Sequence, residues 1–131
     1  MSLAEATSGE RLSLEIPPDP AHIVTARSFA SGVARSLGLD DETADLLRLA
    51  LSEVCSEAIE QRRGGRIVVD VSADTPLARV TVVATGVRRD QTGNHSIEAT
   101  FRRSLIEALA PGATFDEQQE RLTVSFTLSA A

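Results

Sequence analysis

GLDDETADLLRLALSEVC, residues Gly38–Cys55, is the stretch on which the fold turns. Asp40 stands where a helix N-cap belongs. Asp41 and Glu42 fill the first turn, where the helix dipole favours negative charge. From there Ala44, Leu47, Leu51, Val54 and Ala58 recur at helical spacing, and Leu46, Ala50 and Ile59 widen the stripe. A stripe that broad predicts a helix packed deep in the protein. Gln61-Arg62-Arg63 sets cations near its expected C-terminus, and Gly64-Gly65 ends it.

Toward the N-terminus, Leu12, Leu14 and Ile16 alternate with Ser13 and Glu15, the period of a half-buried strand. Pro17-Pro18 stops it, and Asp19-Pro20 reads as an N-cap with proline at the first helical position. Ile23, Ala26, Phe29, Ala30, Val33, Ala34 and Leu37 then mark a helix that Gly38 closes. Toward the C-terminus, Ile67–Val71 and Val80–Val83 read as strands of a hairpin around Asp74-Thr75-Pro76. Residues 85–95 turn polar and irregular. A third helix is predicted from about Ser96, with Ile97, Phe101, Leu105, Ala108 and Leu109 on its buried face and Pro111-Gly112 as its end. Leu122, Val124, Phe126 and Leu128 alternate in a last strand. The expected order is β-α-α-β-β-α-β, with one sheet face on helices and the other partly solvated. Residues 12–129 read as a single domain behind a flexible N-terminus over residues 1–11.

Hydrophobic residues make up 42 % of the 131, so a packed core is expected rather than disorder. With no Trp and no Tyr, that core must come from aliphatic residues and four Phe. A net charge of −6 speaks against nonspecific binding to nucleic acid or to an anionic membrane, and suits either a protein partner with a basic surface or solubility alone. No apolar run is long enough to cross a bilayer and no secretory leader is apparent, so the cytoplasm is the expected compartment. Cys55 has no second cysteine to pair with and reads as a small buried hydrophobe. His22 and His95 lie far apart, without the spacing of a zinc site, and no nucleophile elbow supports hydrolase chemistry.

Two segments carry a resemblance to a known family. The run Leu14–Arg27 resembles the opening of the anti-sigma-factor serine kinases, a branch of the GHKL ATPase superfamily, and Gly38–Cys55 resembles their second helix. The order of elements agrees from about residue 12 to residue 128. The resemblance implies an α+β fold: a two-layer α/β sandwich of the GHKL (Bergerat) type, its mostly antiparallel sheet covered on one face by helices. It also implies an N-box on the second helix, Glu then Asn four residues on. There the Glu is general base in phosphoryl transfer and the Asn helps hold the magnesium of ATP.

Here Glu53 matches the first position and Glu57 stands at the second. A carboxylate can ligate magnesium. Without a metal it also places negative charge beside a triphosphate, at about 4 kcal/mol for a contact of about 4 Å and an effective dielectric near 20. The family's Asp-x-Gly-x-Gly motif reads Ala84-Thr85-Gly86-Val87-Arg88, in which only Gly86 fits and Ala84 offers no side-chain acceptor to adenine. Thr85 could accept a hydrogen bond one residue out of register. The glycine-rich lid reduces to Gly93 in Thr92-Gly93-Asn94-His95, too few glycines to wrap phosphates with backbone N–H groups.

The candidate site is therefore Glu53 as a relic general base, with Glu57, Thr85, Gly86, Arg88 and Gly93 at the degenerate nucleotide positions. Glu57 would be a magnesium ligand only if nucleotide binds, and otherwise a helix-surface charge. Arg88 and Arg89 could hold a phosphate or an acidic partner, or simply be solvated. Arg48 could pair with Ser52 or Asp45. The resulting expectation is a transcription-regulating interaction module resembling an anti-sigma factor. Its degenerate ATP site needs no cofactor, and it binds a sigma factor or a STAS-type anti-anti-sigma protein. A homodimer is implied by the family. The alternative is a divergent ATP- and magnesium-dependent serine kinase. A small-molecule or anion sensor in the vacated pocket is a third reading.

Overall fold

Leu12, Leu14 and Ile16 open the sheet as their alternation predicts, in a computed structural model that describes residues 8–74, 77–88 and 97–129. Strand β1 spans Ser8–Ile16, so it begins ahead of its apolar alternation. Residues 1–7 of the expected flexible segment lie outside the described residues. A short 3-10 turn, Pro20–His22, follows, with the Asp19 Oδ1 accepting from the Ala21 N–H at 2.9 Å. It runs into helix α1, Ile23–Leu37. Gly38 ends α1 in the left-handed region at φ 67°, with Gly38 N–H donating to Arg35 O and Leu39 N–H to Ala34 O. This paired closure satisfies the last carbonyls of the helix.

Helix α2 spans Asp41–Gln61. Its cap is Asp40, whose Oδ1 accepts from the Thr43 N–H at 2.8 Å. Hydrogen bonding from Thr43 holds the Asp40 carboxyl below the usual carboxylate range. A depressed folded-state pKa contributes stability above the unfolded value, and that contribution is lost as pH falls through the folded one. We predict that Asp40→Asn, which keeps a capping oxygen but does not titrate, loses stability less steeply than wild type below about pH 4. Urea melts at stepped pH read this directly, and parallel profiles would reject it.

After α2 the chain enters β2 (Arg62–Arg63) without a break, then β3 (Ile67–Asp74), β4 (Leu77–Thr85) and β5 (Val87–Arg88). Arg62 is the C-cap of α2, near the helix end as expected, but it and Arg63 already belong to a strand and neither lies in the last helical turn. They pair antiparallel with Arg88 and Val87. The Gly64-Gly65 turn between β2 and β3 is left-handed at both residues. Helix α3 (Ile97–Leu109) and the hairpin of β6 (Thr114–Glu117) and β7 (Arg121–Ser129) complete the fold. The main sheet is antiparallel throughout, in the order β1-β3-β4-β7-β6. Strand β6 was not expected, because four residues with Phe115 between polar neighbours carry too little periodicity to stand out.

The two-layer arrangement implied by the resemblance is the one that forms. Ile67, Val69, Val71, Val80, Val82, Leu122, Val124 and Phe126 point from one sheet face into the core, where they meet Ala30, Leu47, Leu51, Val54 and Ile106 from the helices. Alternate residues such as Ser13, Thr81, Thr123 and Ser125 lie on the other face. Helix α3 departs from expectation in its rotation. Phe101 is 67 % exposed and Ala108 is exposed, while Ile106 and Ala110 are fully buried. Leu109 packs on the core as expected and the side chain of Ile97 lies outside the described residues, but the inward face is turned by about one residue, some 100°, which brings Arg102 and Arg103 to a carboxylate inside the fold.

Candidate functional site

That carboxylate is Glu57. One helical turn separates it from Glu53, so both side chains leave the same side of α2. Glu57 is 1 % exposed, which corrects its reading as a helix-surface charge. Val54 and Ala58 flank it on the buried face, and a charge there survives only with partners. Three donors meet it. Arg102 Nη1 lies 3.2 Å from Oε1, Arg103 Nε 3.3 Å from Oε2, and Gln61 Nε2 2.5 Å from Oε2.

Arg102 reaches all three acids along this stretch of α2. Its Nε lies 3.6 Å from Glu53 Oε1 and its Nη2 2.8 Å from Glu60 Oε2. Hydrogen bonding to Glu60 raises the Arg102 pKa further, with Glu57 adding to it against the opposing effect of burial. Arg103 donates from Nη2 to Glu117 at 2.8 Å, and its guanidinium sits 4.8 Å from the centre of the Phe115 ring. Glu117 in turn receives Arg88 Nη2 at 2.8 Å. A continuous chain of ion pairs thus runs from β5 through β6 and α3 to α2.

The other half of the expected site is built differently. The Thr85 hydroxyl accepts from Arg66 N–H at 3.1 Å and lies 3.3 Å from the Arg66 carbonyl, to which it donates. Ala84 is fully buried in the core. Gly86, at φ 123°, lies against the β2–β3 turn, and a Cβ there would fall 2.6 Å from the Gly64 carbonyl oxygen. Nearby, fully buried Arg62 donates to the carbonyls of Gln118 and Gln119 at 2.9 and 2.8 Å, fastening the β6–β7 turn. Burial pulls the Arg62 pKa down, with Glu117 opposing it. An open hollow of about 420 Å³ lies beside Thr85, lined by residues 118–121.

Glu53, Glu57 and Arg88 therefore belong to one ion network, while Thr85 and Gly86 form a separate strand-end contact. Gly93, Arg89 and His95 lie outside the described residues. Arg48 pairs with Asp45 and reaches Ser31 Oγ at 3.4 Å, whereas Ser52 accepts from Arg27 Nε at 3.0 Å. Burial pushes the Cys55 thiol up to about 12, so it stays protonated and unreactive. Among the described residues no cluster of His, Cys, Asp and Glu could hold a metal ion, and no helix is long and apolar enough to cross a membrane. Arg102, Arg103, Gln61, Glu60 and Glu117 were not among the site residues expected from the sequence. The available signal was Glu57 itself, three residues after Val54 on the apolar stripe.

Comparisons with known proteins agree with this architecture. A family model described as the histidine kinase-like ATPase domain matches residues 16–121. A crystal structure of the RsbU and RsbW domains of Rv1364c from Mycobacterium tuberculosis aligns with a TM-score of 0.73 at 18 % identity. The alignment covers 91 % of this chain and 32 % of that one. This chain therefore spans about a third of that protein's length, and the likeness concerns the fold. A search of curated proteins finds no match. With four-fifths of its length inside the family model, the chain belongs to the histidine kinase-like ATPase domain family.

Proposed function

We propose that this chain is a regulatory interaction module of the anti-sigma-factor type. On this reading it binds a sigma factor or a STAS-type anti-anti-sigma protein in the cytoplasm, works as a homodimer through the single domain of residues 12–129, and does not use ATP. The observation that carries the reading is the strand end at Thr85–Gly86, where the chain's own backbone takes up the Thr85 hydroxyl and packs against Gly86. An adenine ring needs a free side-chain acceptor and backbone that it can approach. The Thr85 hydroxyl is committed to Arg66, and Gly86 faces the chain's own Gly64 carbonyl. Thr85 and Gly86 do not fit a nucleotide base.

Isothermal titration with ATP and magnesium, repeated with ADP, tests the nucleotide half. No heat at millimolar nucleotide supports the module. Micromolar binding would overturn it in favour of the divergent serine kinase, and Glu53→Ala would then be assayed for lost phosphoryl transfer. The partner half is tested by co-purification with each sigma factor and STAS-domain protein of the same genome. A stoichiometric complex supports it, and failure with every one of them rejects it.

A further inference from the structure

We propose that Arg102 and Arg103 are built-in cations for the α2 carboxylates, so that α3 is fastened to α2 by the chain itself rather than by a bound metal. The inference rests on the reading that the chain works without nucleotide, but concerns the opposite end of the site.

The geometry leaves little for a divalent ion to do. A magnesium ion asks for near-ideal octahedral oxygen ligands and keeps several waters. Glu57 is 1 % exposed, and both of its oxygens already accept from guanidinium groups, with Gln61 as a further donor. Glu53, the other carboxylate of the pair, faces Arg102 Nε at 3.6 Å. Glu60 takes the remaining edge of the same guanidinium. One planar fork thus meets three acids spread over two helical turns, a match that suits arginine and that lysine's single ammonium could not make.

Charge is supplied from within as well. Among the described residues the ion pairs set Glu53, Glu57, Glu60 and Glu117 against Arg88, Arg102 and Arg103, with the Arg62 charge close enough to act on Glu117, so the acids face cations of the chain's own. The consequence is mechanical. Among the described side chains, α3 packs on the core through Ile106 and Leu109 near its C-terminal end, with Ala110 buried just beyond it. Arg102 and Arg103 hold the part nearer its start. Arg102 acts as a positioning residue, and α3 keeps its place whether or not divalent ion is present.

Hydrogen exchange on the full chain, without nucleotide in any arm, is the test. In wild type, α3 amides exchange at the same rate with millimolar magnesium or with chelator. In Arg102→Met, which keeps the stem but drops the charge, α3 amides exchange roughly tenfold faster. The freed carboxylates also gain binding of manganese, read by its paramagnetic resonance, and adding Glu57→Gln removes that gain. Arg102→Lys serves if the methionine variant does not fold: it keeps the charge and loses the fork, so α3 exchange still accelerates. Magnesium-dependent α3 protection in wild type, or manganese binding that Glu57→Gln abolishes there, would overturn the proposal. So would unchanged α3 exchange in both Arg102 variants. ATP binding at the strand end would sink the interaction-module reading while leaving these outcomes as they are.

Discussion

Replacing Glu57 by alanine should destabilise the protein by about 3–5 kcal/mol, the usual penalty for removing one partner of a buried ion pair. The reason lies in what is left behind. Arg102 would be left with Glu53 at 3.6 Å and half-exposed Glu60, and Arg103 with Glu117, in place of the buried carboxylate that both approach within 3.3 Å, and a guanidinium group cannot shed its charge at accessible pH. A domain of this size is stable by only about 5–15 kcal/mol, so the loss is a large share of the total. At an m-value near 1.5 kcal/mol/M, the urea midpoint would fall by about 2–3 M. Glu57→Gln keeps the shape and two acceptor lone pairs and should lose clearly less. A shift in the alanine variant of under about 0.5 M would place Glu57 among the weak surface pairs and reject its role as the hub of the network.

The second large effect belongs to Gly65→Ala. At φ 69° an added Cβ meets the ordinary left-handed penalty of about 1–2 kcal/mol. At Gly65 it also falls 2.3 Å from the Thr85 carbonyl oxygen and 2.8 Å from the Gly86 nitrogen, both backbone atoms. Backbone cannot rotate away as a side-chain tip can. Relief therefore requires β4 to part from the β2–β3 turn, with loss of the Thr85 N–H bond to Arg66 O at 2.9 Å. We expect a total of about 3 kcal/mol or more, read by thermal or urea unfolding. Gly64→Ala is the matched control. Its φ is 70° but nothing lies within 4 Å of the added carbon, so only the conformational part should appear, about 1 kcal/mol. Equal losses in the two variants would show that the close approach at Thr85 does not form.

The effects separate because they act at opposite ends of the site. Thr85, Gly86 and the glycine turn form the strand end, while Glu57 sits between α2 and α3. No side-chain contact joins Glu57 to Thr85, so a double variant should show near-additive losses.

Local sequence determined the elements whose signals lie within a few residues of one another. Asp40 capping Thr43, Gly38 in the left-handed region and the alternation of Leu122, Val124, Phe126 and Leu128 all read directly, since capping, closure and period are properties of short segments. Their order and alternation implied a sheet with one face on helices, and the resemblance supplied the two-layer, mostly antiparallel arrangement. Tertiary structure alone decided the site. The resemblance singled out Glu57 as the residue at the N-box Asn position, but read it as a magnesium ligand or a helix-surface charge; it lies beside Val54 on the apolar stripe, and only packing against α3 supplies its partners. The same burial turned α3 away from its Phe101–Leu105 stripe, because leaving Phe101 in water costs less than burying Glu57 without Arg102 and Arg103. The Thr85–Gly65 contact, twenty residues apart, was equally invisible, since only the pairing of β3 with β4 brings the two backbones together.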